Sequence, residues 1–153
     1  MNILLGAIVL CICTYFGYLY GQKYVEKRKF YEDFSSFNKK FINEVSYSMK
    51  TLPQIIAKEN NNQLFYKTIN NYVQTKTVTI NEKFLTDDEK NYFKNYLETL
   101  GSSDRDSQLS FLNASLNTIN EYLSLAQKDE KKFRSLYLKI GFLIGLIAFI
   151  ALL

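Results

Sequence analysis

The chain has 153 residues, which suffices for one small domain, and its formal net charge at pH 7 is +4. This charge is small and its basic and acidic residues are interspersed, so no nucleic-acid partner is expected. All 19 basic and 15 acidic residues lie between Lys23 and Lys139. The two uncharged ends indicate a membrane protein.

The first apolar run covers residues 3–21 and contains no charge. A transmembrane helix needs about 20 such residues. Basic residues come after this run, at Lys23, Lys27 and Arg28, whereas a secretory signal peptide carries its positive charge before the apolar core. We therefore predict an uncleaved transmembrane helix over residues 3–21.

The next segment has apolar residues at spacings of three and four, the period of one helix face. These residues are Phe30, Phe34, Phe37, Phe41, Val45 and Met49. We interpret them as the buried side of a helix that continues from the first run to about Ser48, not as a ligand-binding box. Pro53 interrupts the pattern, because the residue before a proline avoids helical geometry.

Shorter elements follow the proline. Residues 54–59 predict a short helix, and residues 63–74 predict another with apolar residues on one face. Residues 75–80 favour a β conformation, but a lone strand has nothing to pair with, so we predict an extended linker. Thr86 and Glu89 then have the spacing of a capping box and predict a helix that ends near Leu100.

Residues 101–108 predict a corner between two antiparallel helices. Gly101 suits a helix C-terminus that needs a positive φ. Ser103 or Asp104 suits the N-cap of the next helix. A phosphate-binding loop is not indicated, because the stretch has one glycine and two carboxylates.

One long helix is predicted from about Asp104 to the end of the chain, roughly 75 Å at 1.5 Å per residue. Its three-four apolar rhythm lapses at Glu130. Its last part, residues 138–153, predicts a second transmembrane helix, and basic residues again stand on its mid-chain side. The positive-inside rule then places residues 22–137 in the cytoplasm and both termini outside. The expected fold is all-α: two transmembrane helices that flank a cytoplasmic antiparallel helical bundle.

Two glycine pairs lie in these apolar runs, each with three residues between its members. They are Gly17 with Gly21 and Gly141 with Gly145. Such spacing puts both glycines on one helix face and lets another helix approach closely. We predict helix packing at these four positions, with ordinary membrane glycine as the alternative.

Catalytic signals are lacking in the sequence. The chain has no histidine, and its two cysteines, Cys11 and Cys13, lie in the first apolar run. The serines of the corner have no evident general base beside them. We therefore expect no catalytic residue, metal site, cofactor or small-molecule substrate, and a structural or interaction role instead.

In order and size the chain resembles the stage III sporulation protein AB family of endospore-forming bacteria. The resemblance is carried first by an N-terminal span followed at once by a basic helix. It is carried further by Glu44, Tyr47 and the Thr51-Leu52-Pro53 element. The most specific match is Leu100-Gly101-x-Ser103-Asp104-x-x-x-Gln108, which leads into a long helix and a glycine-containing span.

This family is similar to the cytoplasmic helical domain of inner-membrane platform proteins in type II secretion and type IV pilus systems. The resemblance implies a membrane platform in the mother-cell membrane, within a channel complex facing the forespore that includes a cytoplasmic ATPase. We expect partners to bind at Gly101, Ser103, Asp104, Arg105 and Gln108. A generic membrane-anchored scaffold or coiled-coil stator, with the face of residues 109–133 pairing two chains, is the alternative.

Overall fold

The computed structural model of the protein describes residues 2–47, 64–75, 77, 80 and 82–151. Its helices are α1 (Asn2–Tyr47), α2 (Leu64–Thr75), α3 (Asp87–Thr99), α4 (Arg105–Asp129) and α5 (Ser135–Ala151), and a π-helical turn, Glu130–Arg134, joins the last two. No strand occurs within these ranges. The all-α fold predicted from the sequence is confirmed.

The predicted helices are present in the described residues. α1 is described up to Tyr47 and α2 over Leu64–Thr75, while α3 ends at Thr99, one residue before the predicted end. Of the predicted linker over residues 75–80, Thr75 belongs to α2, whereas Thr77 and Ile80 lie outside any helix or strand; its other residues lie outside the described ones. The break at Pro53 and the short helix over residues 54–59 lie outside the described residues.

Two compact units make up the chain. The first, here called the membrane pair, consists of Met1–Arg28 and Ser124–Leu153; the second, here called the bundle, is Lys29–Leu123. The division of the sequence at residues 21/22 and 137/138 stays a prediction about where the membrane ends.

The membrane pair places glycine inside and large apolar side chains outside. The helical stretches Ile3–Tyr47 and Arg105–Ala151 are each long and apolar enough to cross a membrane. The residues buried in the two apolar runs are Gly6, Gly17, Gly21, Gly141 and Gly145. Exposed apolar side chains suit lipid, which is as apolar as they are.

The bundle has an aromatic core. The ring of Phe34 is fully buried, and its centroid lies 4.7 Å from that of Tyr96, 5.1 Å from Phe93 and 5.3 Å from Phe65. The edge-to-face packing of Phe34 with Phe93 and Tyr96 is favourable for aromatic quadrupoles. The buried aromatic residues are Phe30, Tyr31, Phe34, Phe37, Phe41, Phe65, Tyr66, Phe93 and Tyr96.

Polar side chains inside this core connect three helices. The hydroxyl of Tyr96 in α3 donates to Oδ1 of Asn38 in α1 at 2.8 Å, and Nδ2 of Asn38 donates to the carbonyl of Leu112 in α4 at 3.0 Å. Asn38 is fully buried, so a lost partner would leave an unpaired polar group in the core. The network therefore fixes one arrangement of the three helices.

The prediction of one uninterrupted α-helix from Asp104 to the chain end is corrected in one respect. The π-helical turn Glu130–Arg134 lies between α4 and α5. It begins at Glu130, the residue where the apolar rhythm lapses. A π-helical turn holds more residues than an α-helical turn, so it changes the sequence spacing of the residues that share a helix face.

Candidate functional site

The 101–108 corner is set on one side by α3, whose N-terminus is held by the predicted capping box. The backbone N–H of Glu89 donates to Oγ1 of Thr86 at 3.3 Å, and the N–H of Thr86 donates to Oε2 of Glu89 at 2.8 Å. At the other end of α3 the chain turns at Gly101, whose φ is +74°. That left-handed conformation is open to glycine at no steric cost.

Gln108 holds the corner together from inside. Its Oε1 accepts the backbone N–H of Gly101 at 3.0 Å and the hydroxyl of Ser103 at 3.4 Å. The side chain is 4% exposed. Within the described part of the chain, its Nε2 is buried with no acceptor. Gln108 therefore acts as a clamp of the turn.

Asp104 caps the N-terminus of α4. Its Oδ2 accepts the backbone N–H of Ser107 at 3.2 Å, and its carbonyl accepts the N–H of Gln108 at 2.8 Å. Hydrogen bonds from the side chain and backbone of Ser107 lower the pKa of the Asp104 carboxyl. The carboxylate thus stays ionised at neutral pH, where it suits the positive end of the helix.

Arg105 joins the corner to the end of α1. Its Nε donates to the carbonyl of Val45 at 3.1 Å, and its Nη2 donates to the carbonyl of Ser46. The guanidinium therefore links the start of α4 to the last described residues of α1. Sequence patterns do not predict this contact, because Arg105 and Val45 are 60 residues apart.

The five residues predicted to bind a partner are therefore brought together in one turn, but they differ in accessibility. Gly101, Ser103, Asp104 and Arg105 are exposed, whereas Gln108 is buried. A partner could touch the first four directly. Gln108 could influence a partner only through the shape of the turn. Their partner-binding role stays a prediction.

The four glycines predicted to pack helices lie where the two apolar runs of the membrane pair meet. A Cβ on Gly17 would lie 2.6 Å from the carbonyl oxygen of Tyr137 and 3.1 Å from Cα of Gly141. A Cβ on Gly145 would lie 3.0 Å from Cα of Leu10, and one on Gly21 would lie 3.4 Å from Cα of Arg134. The backbones approach too closely for larger residues at the centre of this contact.

An ion-pair cluster missed by the sequence analysis lies in the membrane pair. Glu130, at the π-helical turn, accepts from Nε of Arg28 through Oε2 and from Nη1 of Arg134 through Oε1, the latter at 3.3 Å. Its side chain is only 14% exposed. The lapse in the apolar rhythm at Glu130 was the available signal, since a partly buried carboxylate needs a cationic partner.

An aromatic ladder beside this cluster was also missed. Tyr20 stacks on Tyr137, Tyr137 on Tyr24 and Tyr24 on Phe133, with centroid distances of 6.2, 5.9 and 5.1 Å. The ammonium group of Lys23 lies 5.0 Å from the Tyr24 centroid. Tyrosines next to an apolar run are typical of a membrane–water interface.

Comparison with known proteins gives one assignment. The family model described as stage III sporulation protein AB matches residues 2–153. No curated protein matches the chain. No solved structure matches it either.

Proposed function

The chain belongs to the stage III sporulation protein AB family, and on this premise we propose that it is a non-enzymatic membrane platform of the complex between mother cell and forespore. The family match over residues 2–153 carries this proposal, because it covers both apolar runs and the bundle between them. In this role the protein anchors the bundle to the mother-cell membrane and presents it to a cytoplasmic ATPase and to other channel subunits.

Membrane residence and orientation are supported by composition. The two candidate spans have mean hydropathies of 2.1 and 1.8. Lys23 and Lys27 follow the first span, and Lys131 and Lys132 precede the second. Since short basic flanks are retained in the cytoplasm, the bundle faces the cytoplasm and both termini face the opposite side.

The corner is the surface of the bundle that we assign to the ATPase. Residues 101–107 form a continuous exposed run. The turn has a fixed shape, because Gln108 accepts the N–H of Gly101 and Arg105 donates to the carbonyl of Val45. A preorganised surface loses little conformational entropy when a partner binds.

A non-enzymatic role is supported by the residues that are available for chemistry. The whole chain contains no histidine, and its two cysteines lie in the first apolar run. Asp104 is committed to capping α4, and Glu89 to capping α3. The carboxylates of Asp104 and Glu89 therefore have structural explanations.

The alternative of a coiled-coil scaffold is less favoured by the burial of α4. Leu112 and Ile119 are fully buried within the bundle, and Ala126 within the membrane pair. Side chains that are covered by their own chain are not free to pair with a second copy. Leu125, 49% exposed, lies off this face.

Deletion of the gene in its own host tests the proposed role. We expect the yield of heat-resistant spores to collapse while engulfment is completed, and the wild-type gene supplied in trans to restore it. A normal spore yield would contradict the role in sporulation.

Pull-down of the cytoplasmic ATPase with the detergent-solubilised full chain tests the corner. We expect the double reversal Asp104→Lys/Arg105→Glu to reduce capture about tenfold or more. The matched control is Lys39→Glu/Glu121→Lys, which also reverses one acid and one base at exposed positions of the bundle. Equal capture by both variants, with native circular dichroism, would exclude the corner as the contact.

Labelling of an introduced cysteine tests the orientation. In a chain with Cys11→Ser and Cys13→Ser, Ser103→Cys provides one exposed thiol at the corner. We expect an impermeant maleimide to label it only after the cells are permeabilised. Labelling in intact cells would reverse the assignment of the bundle to the cytoplasm.

A further inference from the structure

The two units of the chain carry very different charge. The membrane pair contains eight basic and three acidic residues, a net charge of +5, whereas the bundle contains eleven basic and twelve acidic residues, a net charge of −1. The excess positive charge is therefore confined to the unit that carries the apolar runs. Such a distribution attracts anionic lipid headgroups, which lie at the same depth in the membrane as basic residues next to the apolar runs.

The membrane pair also contains an apolar groove. Its volume is about 330 Å³. The groove runs beside the close contact of Gly17 with Gly141, where a Cβ on Gly17 would lie 3.1 Å from Cα of Gly141. Its lining residues are Cys13, Phe16, Gly17, Tyr20, Tyr137, Ile140, Gly141 and Ile144.

The aromatic ladder connects one end of this groove to two lysines. Tyr20 and Tyr137 line the groove, and Tyr24 and Phe133 continue the ladder away from it. The ammonium group of Lys23 lies 5.5 Å from the centroid of Tyr137. That of Lys132 lies 5.2 Å from the centroid of Phe133.

We propose that this groove and the two lysines form a binding site for an anionic phospholipid. One acyl chain lies in the groove, and the headgroup phosphate is bound by Lys23 and Lys132. Along α1, Cys13 and Tyr20 are about 10 Å apart at 1.5 Å per residue, which accommodates the upper half of an acyl chain. The charge complementarity selects an anionic lipid over a neutral lipid or an apolar helix. The site rests on the chain residing in a membrane, and not on any role in sporulation.

Native mass spectrometry of the full chain in mild detergent tests the headgroup. We expect bound phosphatidylglycerol, and much less phosphatidylcholine with the same acyl chains. Lys23→Gln/Lys132→Gln should weaken phosphatidylglycerol binding about thirtyfold, since each lysine near the headgroup contributes about fivefold. Lys39→Gln/Lys67→Gln, at exposed positions of the bundle, removes the same charge and should have little effect.

Three further variants separate binding at this site from a folding defect and from added bulk. Lys23→Arg/Lys132→Arg retains both cations and should restore binding, which a folding defect would prevent. Ile144→Phe narrows the groove, whereas Leu143→Phe adds the same bulk at a position that does not line it. Only Ile144→Phe should weaken binding of the long-chain lipid.

Three outcomes would overturn the proposal. If both lysine-to-glutamine pairs weakened lipid binding equally, the net charge of the chain, and not a site at Lys23 and Lys132, would explain the binding. Equal binding of phosphatidylcholine would remove the role of the headgroup site. A dimer that excludes lipid and is disrupted by Ile144→Phe would assign the groove to a second copy of the chain.

Discussion

The helices of the membrane pair pack through glycines, whereas those of the bundle pack through aromatic rings. At the centre of the membrane pair, Gly17 lies against Gly141. At the centre of the bundle, Phe34 is surrounded by the rings of Phe65, Phe93 and Tyr96. Yet α1 supplies both Gly17 and Phe34.

The difference follows from the solvent that each unit must exclude. In water, burying apolar area is favourable, so large rings belong inside. In lipid no such gain exists, because the hydrocarbon is as apolar as the side chain, and close backbone contact decides the packing. A single helix therefore changes its packing rule along its length.

The largest expected effect is the loss of a core ring from the bundle. Phe34→Ala should lower the free energy of unfolding by about 3–5 kcal/mol, because a buried ring is replaced by a cavity. Denaturant titration of the detergent-solubilised chain, followed by circular dichroism, measures this. The control is Phe142→Ala, a phenylalanine 43% exposed in the membrane pair, which should change little. Similar losses of unfolding free energy in the two variants would show that buried rings stabilise the bundle no more than exposed rings stabilise the membrane pair.

A smaller effect is expected from a side chain forced into the glycine contact. Gly17→Leu should separate the apolar runs, since even its Cβ would lie 2.6 Å from the Tyr137 carbonyl oxygen. In a Cys11→Ser background, the half-buried Cys13 should then react with a maleimide several-fold faster. Tyr18→Leu, at an exposed neighbouring position, should leave the rate unchanged. An unchanged rate in Gly17→Leu would show that close approach is dispensable.

The third test uses pH, which acts on the bundle through its buried tyrosines. Burial raises the pKa of Tyr31, Tyr92 and Tyr96 above the ordinary value of 10.0. A pKa raised in the folded state gives stability that is complete below about pH 10 and is lost as the pH rises further. The phenols should therefore ionise only as the bundle unfolds. Phenolate absorbance recorded together with circular dichroism measures this, and ionisation of these phenols in a still-folded bundle would contradict it.

The smallest effect concerns the cap of α3. Thr86→Ala removes the acceptor of the Glu89 N–H and should destabilise the bundle by about 1 kcal/mol. Thr99→Ala is the matched control, because the Thr99 hydroxyl donates only to the carbonyl of Asn95 in its own helix. Thermal unfolding of the two variants should differ by a few degrees. Identical midpoints would mean that the capping box contributes nothing measurable.

Three local patterns predict the structure correctly. The capping box at Thr86, the positive φ of Gly101 and the three-four row through Phe34 each depend on residues within one or two turns. Contacts between distant residues were not predictable in the same way. The guanidinium of Arg105 on the carbonyl of Val45 is an example, since no periodicity links two positions 60 residues apart.

The arginines illustrate the difference between what the sequence shows and what only the tertiary structure shows. The chain has only three arginines, Arg28, Arg105 and Arg134, among its 19 basic residues. Each donates to a fixed acceptor: Arg28 and Arg134 to Glu130, and Arg105 to backbone carbonyls. The forked guanidinium suits such geometry better than an ammonium group does. The sequence shows that arginine is rare, but it does not show the partners of these three residues.

The sequence by itself determined the helical class, the two apolar runs, the basic flanks, the caps and the corner, because each depends on period, composition or neighbouring residues. The tertiary structure decided which glycine lies against which, the burial of Gln108 beneath the corner, and the π-helical turn that places Glu130 between two arginines. These features depend on how far apart two helices run and how they are rotated. Distance and rotation are fixed only when all the side chains between them are packed together.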